Sequence, residues 1–274
     1  MDQDRRKPAL SRRQVLGMGA LAGLGLACYG DLNSRRIQVE RRELRLPQWD
    51  ADGVKVAVLA DVHLDDEGVV ALTQQAVELA LKEKPDILVH LGDFTSTGLA
   101  NYYPFISKAF EALRDTTIPK LAILGNHDKL AYGQKDLIST IESTGWNVLV
   151  NKRVEVQGIT ISGVDDPLRG KPDWSVVRES GASKSYISLV HEPDYVDQNS
   201  SNVSLQLSGH SHGGQICLPG GFSVHTPKGA RNFIKGFYSG AAVPLYVSRG
   251  IGTVGPKFRL FCPPEVSILT LRSG

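Results

Sequence analysis

Val54-Lys55-Val56-Ala57-Val58-Leu59-Ala60 runs directly into Asp61-Val62-His63, and the architecture follows from this junction. Five consecutive apolar positions after Lys55 leave no polar face, so the segment reads as a strand buried on both sides, which delivers Asp61 at its end. The pattern then repeats. A helix is expected from Val69 to Lys84, with Leu72, Ala76, Leu79 and Ala80 on one face and Pro85 just beyond it. Ile87 to Leu91 is the next strand, with Gly92-Asp93 as its exit turn. A second helix is expected from Tyr103 to Arg114, and a strand from Lys120 to Leu124 presents Gly125-Asn126-His127-Asp128. Such a βαβαβ series predicts parallel strands with right-handed crossovers.

Upstream, Ile37 to Leu46 reads as an edge strand ended by Pro47. Downstream the chain is richer in strands. Val148 to Val150, Arg153 to Gln157 and Ile159 to Ser162 suggest a meander, Ile187 to Val190 and Val203 to Leu207 read as strands, and Leu245 to Leu271 is expected to hold two short ones. The later strands deliver His191-Glu192 and Gly209-His210-Ser211-His212. Polar, chemistry-bearing segments therefore stand where apolar strands stop, and open α/β sheets bind their ligands outside the carboxyl ends of their strands.

The residue types in these five segments are hard-oxygen and imidazole donors, as expected for divalent cations. Five of the seven histidines fall inside them, and the first candidate donors are separated by 32, 33, 65 and 19 residues. The set and its order resemble the calcineurin-like metallophosphoesterases, in particular a small bacterial branch that is exported or membrane-associated. The resemblance covers residues 54 to about 271. It implies an α/β fold with four layers, α/β/β/α, in which two mixed sheets pack face to face and a binuclear metal site lies at the carboxyl ends of the strands. It also implies Asp61, His63 and His212 as ligands of one metal, Asn126, His191 and His210 as ligands of the other, and Asp93 as the bridge. His210 and His212, two apart, would share a face on a strand, whereas on a loop after Gly209 they can reach different metals. His127 would be the catalytic residue that stabilises the phosphoryl group and protonates the leaving oxygen.

The activity this resemblance implies is that of a metal-dependent phosphoesterase, most directly a phosphodiesterase, attacking by a metal-bridging hydroxide. Pyrophosphate hydrolysis of UDP-2,3-diacylglucosamine in lipid A synthesis is the alternative, and a silent binding module on the same fold is the third reading. Between Asp128 and His191 there is little room for a cap domain, so an open site for diester or extended substrates is expected. Tyr102, Tyr103 and Phe105 either line a groove or pack the core. Arg249 is either a phosphate partner or one half of an ion pair. His90, within a strand, reads as structural, and His225, in a Gly/Pro-rich loop outside the ligand set, either approaches the site or stays clear of it. Asp65 and Asp66 read as solvated loop charges, and Asp128 as a cap or as the orienter of His127.

The start of the chain differs in kind. Arg5, Arg6 and Lys7, then Ser11-Arg12-Arg13, precede a Gly/Ala/Leu-rich run from Gly17 to about Tyr29. That run is short for a spanning helix of about 20 apolar residues, and it resembles a twin-arginine export signal or anchor over 1–29. The organisation is then leader, a linker and edge strand over 30–52, and one domain over 53–274. Residues 1–29 hold five Arg/Lys and two Asp, a net of +3, which leaves −1 for the rest of a chain at +2. No nucleic-acid footprint follows from that balance, and there is no disorder signature or internal repeat.

Two divalent ions, manganese, iron or zinc, suit the donor set. Manganese is favoured because twin-arginine export carries folded, already loaded protein. The expected partners are a phosphate-ester substrate, lipid-linked or of the cell envelope, the twin-arginine export machinery, and a membrane surface, which places the protein in the cell envelope. Cys28 ends the apolar run as a candidate lipid-attachment residue, and Cys217 and Cys262 either pair or stay as buried thiols.

Overall fold

The computed structural model describes residues 12–96, 103–131, 133–178, 183–199 and 201–274. Two six-stranded sheets organise it. The first takes, by residue range, the order 38–46, 265–273, 55–59, 87–90, 120–122 and 147–148, and the second 236–238, 245–247, 205–208, 186–189, 159–163 and 152–156.

In the first sheet, β2 (Lys55–Leu59), β3 (Ile87–His90), β4 (Lys120–Ala122) and β5 (Asn147–Val148) run parallel to one another. β14 (Glu265–Ser273) lies antiparallel to β2, and β1 (Gln38–Leu46) is the outer strand, parallel to β14 along its whole length. The expected edge strand is therefore present. The last segment is one nine-residue strand rather than a second short one. β2 owes its central place to its composition: Val56 and Val58 face the second sheet while Ala57 and Leu59 face the helices, all fully buried.

The helices pack on one face of this sheet. α2 (Glu67–Lys82) begins where the Asp66 carboxylate accepts the Val69 N–H at 2.9 Å, and it ends before Lys84, which is left-handed, and Pro85. Asp66 is thus a helix cap rather than a solvated charge, and Asp65 pairs with Lys257. Val70, Ala76, Val77 and Ala80 of α2 join α3 (Tyr103–Ala109) and α4 (Gln134–Ser143) in the outer core with Ala57, Leu88 and Val148. Tyr103 and Phe105 pack there too, while Tyr102 lies outside the described residues.

The expected meander is split between the sheets. β5 caps the first sheet, whereas β6 (Lys152–Val156) and β7 (Ile159–Gly163) form a hairpin at the edge of the second. Polar Asn151, with a positive φ of 50°, turns the chain between them. β7, β8 (Tyr186–Leu189), β9 (Leu205–Ser208) and β13 (Leu245–Val247) run parallel, and β12 (Gly236–Tyr238) closes the edge antiparallel. Val58, Val89 and Ile123 meet Ile161, Ile187, Leu189 and Leu207 between the sheets, forming the central core. α5 (Ser175–Arg178) and the turn at Pro193–Gln198 cover the far face of the second sheet and complete the fourth layer. A small hairpin of β10 (Cys217–Leu218) and β11 (Phe222–Ser223) stands apart from both sheets.

At the start of the chain α1 (Arg12–Arg35) runs past residue 29, where the expected leader ends, and 1–11 lie outside the described residues. Its end docks on the domain: Asn33 donates to the Arg259 carbonyl at 3.1 Å, and Tyr29 stands 5.2 Å from the Phe261 ring. Among the described residues no helix is long and apolar enough to cross a membrane.

Leu207 is fully buried between the sheets. Leu207→Ala should cost about 2–5 kcal/mol and lower the thermal midpoint by roughly 5–15 °C. A shift under about 2 °C in a melting curve would show that the two sheets do not share one tight core.

Candidate metal centre

Each of the five ligand-bearing segments leaves its strand in the same direction, so their side chains converge at one end of the sandwich. The backbone there is forced. Asp61, His63, Asp93, His210 and His212 all hold positive φ, between 49° and 67°. Left-handed non-glycine residues are uncommon, and such a concentration marks a site whose geometry outweighs local preference. Gly92 and Gly125 lie back to back: a Cβ on Gly125 would stand 2.3 Å from Asp93 Oδ1 and 2.7 Å from His191 Cε1. The two loops touch because neither glycine carries a side chain.

The donor atoms meet at short range. His63 Nε2 and His212 Nε2 are 3.1 Å apart, and Asp61 Oδ1 is 3.9 Å from the latter. Asp93 Oδ2 lies 3.5 Å from His63 Nε2 on one side and 3.2 Å from His191 Nε2 on the other. Donors held by one cation at about 2.0–2.2 Å stand roughly 3–3.5 Å from one another, which is the spacing found here. Asp61, His63 and His212 thus form one group, Asp93, His191 and His210 a second, and Asp93 also closes on His63 and His127. The Asn126 carboxamide oxygen is buried at the same place without a hydrogen-bond partner. Buried polar atoms seldom remain unmatched, and a cation satisfies it. The donor set fits divalent metal on these grounds.

Neighbouring groups set the imidazoles. His191 Nδ1 donates to the Leu91 carbonyl at 2.6 Å, which leaves Nε2 as the donor atom for a cation. His210 Nε2 donates to the Lys228 carbonyl at 2.9 Å and so offers Nδ1. The His210 N–H reaches Asp61 Oδ1 at 2.9 Å and holds that carboxylate in place. Beneath His212, the fully buried Arg259 donates to the carbonyls of Gly252, Arg249 and His212 at 2.7–3.2 Å. No sequence motif announces Arg259.

Asp128 is neither a cap nor an orienter of His127. Its oxygens accept the N–H groups of Phe94, Thr95 and Gly125 at 3.0–3.2 Å, tying the loop of Asp93 to the loop of Asn126. His127 points the other way. Its N–H donates to Asp93 Oδ1 at 2.8 Å and its ring stands edge-on to His63, 4.7 Å away. Behind His191, Glu192 is buried against Asp166, and that burial pushes its carboxyl well above the usual range. Sequence alone does not reveal this acidic pair, because Glu192 resembles any residue after a strand.

His90 stacks on Phe94 at 3.8 Å inside the aromatic core, as a structural residue. Arg249 is an ion-pair residue: its guanidinium contacts Glu265 and, at 3.7 Å, Glu40, away from the donors. Cys217 and Cys262 are free thiols on either side of the Gly213 carbonyl, 3.5 and 3.3 Å from it. Cys28 is exposed on α1.

An open cavity of about 400 Å³ fronts the donors, with His127, Asn126, His210 and His212 on its floor, and His225 reaches its wall.

The sequence matches the calcineurin-like phosphoesterase family over residues 54–214. The chain belongs to that family. It is 32% identical to the uncharacterized metallophosphoesterase YkuE of Bacillus subtilis, over 96% of this chain and 98% of that one. A metallophosphoesterase of Aquifex aeolicus is 29% identical across 90% and 96% of the two chains. Phosphodiesterase YaeI of Escherichia coli is 26% identical across 84% and 87%. The protein is therefore a metal-dependent phosphoester hydrolase with a divalent metal site.

Loading should release protons. Burial lowers His63 to about 3 and His210 to about 4, so these rings are neutral above pH 5. Burial, with Asp93 close by, raises Asp61 to about 7; burial alone would lower His191, but Asp93 holds it well above its ordinary value. Both groups carry protons at pH 6 that a cation must displace, so affinity rises as pH climbs through about 7. Calorimetric titration with Mn²⁺ at pH 6, in buffers of different ionisation enthalpy, should show about two protons released per chain. Release near zero would contradict this protonation scheme.

Proposed function

We propose that the protein is a phosphodiesterase that uses two divalent cations, with Asp61, His63 and His212 on one, Asn126, His191 and His210 on the other, and Asp93 between them. The observation that carries this reading is the position of Asp93 Oδ2, within 3.5 Å of a donor nitrogen from each group. When bound, the cations polarise the phosphoryl oxygens and lower the pKa of water toward about 7. The chain's own residues do the rest. The five loops fix the donor positions before substrate arrives, so little reorganisation remains for the reaction. His127, on the cavity floor beside His63, delivers a proton to the departing oxygen. The open floor and the absence of a cap domain among the described residues favour a diester over one small monoester. The name of the Escherichia coli relative supports the same choice.

Manganese is our choice of metal and the cell envelope our choice of compartment. Arg12-Arg13 and the weakly apolar α1 support twin-arginine export, which would carry the metal out already bound.

General acid catalysis matters in proportion to the basicity of the leaving group, and this separates His127 from the metal ligands. His127→Gln should lower kcat by about 10²–10⁴ for a diester with an alkyl alcohol as leaving group. For a diester that releases 4-nitrophenolate, stable without a proton, the loss should be about tenfold or less. Equal losses on both, in steady-state assays with added Mn²⁺, would remove His127 from the acid role.

A further inference from the structure

The cavity that fronts the donors has two unlike halves. Its floor is the donor cluster, and Ile216, Val224, Val254 and Pro256 line its walls. No lysine or arginine lines it among the described residues. The polar wall groups are largely engaged elsewhere. Gln215 Nε2 donates to the Val254 and Pro256 carbonyls at 3.0 and 2.9 Å, and its Oε1 accepts the Val254 N–H at 2.9 Å. Ser211 Oγ donates to the Ile234 carbonyl. Gln215 is thereby tied to the Val254–Pro256 segment, which leaves His225 as the remaining polar side chain of the walls.

These walls are apolar yet exposed to water. Val224 is 64% exposed and Val254 39%, and the hairpin of β10 and β11 continues the apolar surface with Phe222 at 71% and Leu218 at 58%. Contiguous exposed apolar side chains beside a polar cluster mark a binding surface. A nucleoside or sugar would leave its hydrogen-bonding groups unmatched against such walls, and a second phosphate placed against them, beyond the donor floor, would lack cationic partners. An alkyl chain meets neither cost.

We propose that the group esterified to the phosphate, on the side of Val224 and Val254, is an alkyl or acyl chain, so that the substrate is an amphiphile with its phosphate on the metal floor and its chain between these walls. This rests on the phosphodiesterase reading and adds the substrate class to it. In the reaction, a water oxygen forms the new P–O bond as the bond to the leaving oxygen breaks. The alcohol departs with a proton, and the chain stays on the phosphate or leaves with the alcohol, according to which ester bond is cut.

The test is a series of 4-nitrophenyl phosphodiesters whose second ester group is methyl, butyl or octyl, assayed below their micelle concentrations with Mn²⁺, beside the thymidine 5′ ester. Each methylene fully removed from water is worth about fourfold in binding, so kcat/KM should rise at least about tenfold from methyl to butyl and further to octyl. The thymidine ester should fall below butyl. In the Val224→Ser, Val254→Ser double variant the octyl-to-methyl ratio should collapse toward one. That ratio is internal to one protein, so partial loss of active fraction cancels. A flat series, a thymidine ester better than octyl, or an unchanged ratio in the variant would overturn the inference while leaving the phosphodiesterase reading in place. No turnover of any diester, the methyl ester included, would overturn both.

Discussion

One carboxylate oxygen, Asp93 Oδ2, faces donor nitrogens of both clusters, and the rest of the structure serves that placement. Two divalent cations about 3.5–4 Å apart repel by on the order of 15–20 kcal/mol at an effective dielectric of about 20. A shared negative charge between them is the direct means of offsetting that repulsion. Asp93 is kept ready for the task. Burial alone would raise its pKa, but His191 and His63 hold it well below the usual carboxylate range.

Placing one oxygen that accurately requires more than ligands. Asp93 stands at the end of β3, with a left-handed backbone after Gly92, and the Gly92–Gly125 contact sets how closely its loop meets the loop of Asn126. Asp128 then bolts the two loops together through three backbone N–H groups. That carboxyl is raised to about 7 by burial and by the nearness of Asp93, against the pull of those N–H bonds. Arg259 does similar work under His212, anchoring the His212 carbonyl to those of Arg249 and Gly252 in a loop far along the chain. The strained positions are thus held by the tightly bonded loops around them, as expected where function sets the backbone.

Much of this was legible in the sequence because strand composition and ligand type are local signals. Val56 to Leu59 announces a buried strand by itself, and Asp61 after it needs no tertiary information. What stayed hidden depends on partners distant along the chain. Val148 to Val150 looks like the first strand of a meander because its two neighbours in sequence are strands, yet the strand there, Asn147–Val148, pairs with β4 while they join the other sheet. Asp128 reads as a helix cap because that is the common local fate of such a residue, whereas its bonds reach back more than thirty positions to Phe94 and Thr95. Arg249 and Arg259 look alike in sequence. One is an ion-pair residue with Glu265 and the other a buried support of the site, and only packing separates them.

The donor floor and the apolar walls divide the labour: the floor fixes the reaction class, and the walls select what carries the phosphate. On the proposed reading, both depend on two cations sharing Asp93. The most direct measurement is electron paramagnetic resonance of the protein loaded with Mn²⁺, beside Asp93→Asn. Two Mn²⁺ per chain are expected, with the spectrum of an exchange-coupled pair and with that coupling lost in the variant. A spectrum of isolated Mn²⁺ at one ion per chain in the unmodified protein would contradict the sharing of Asp93.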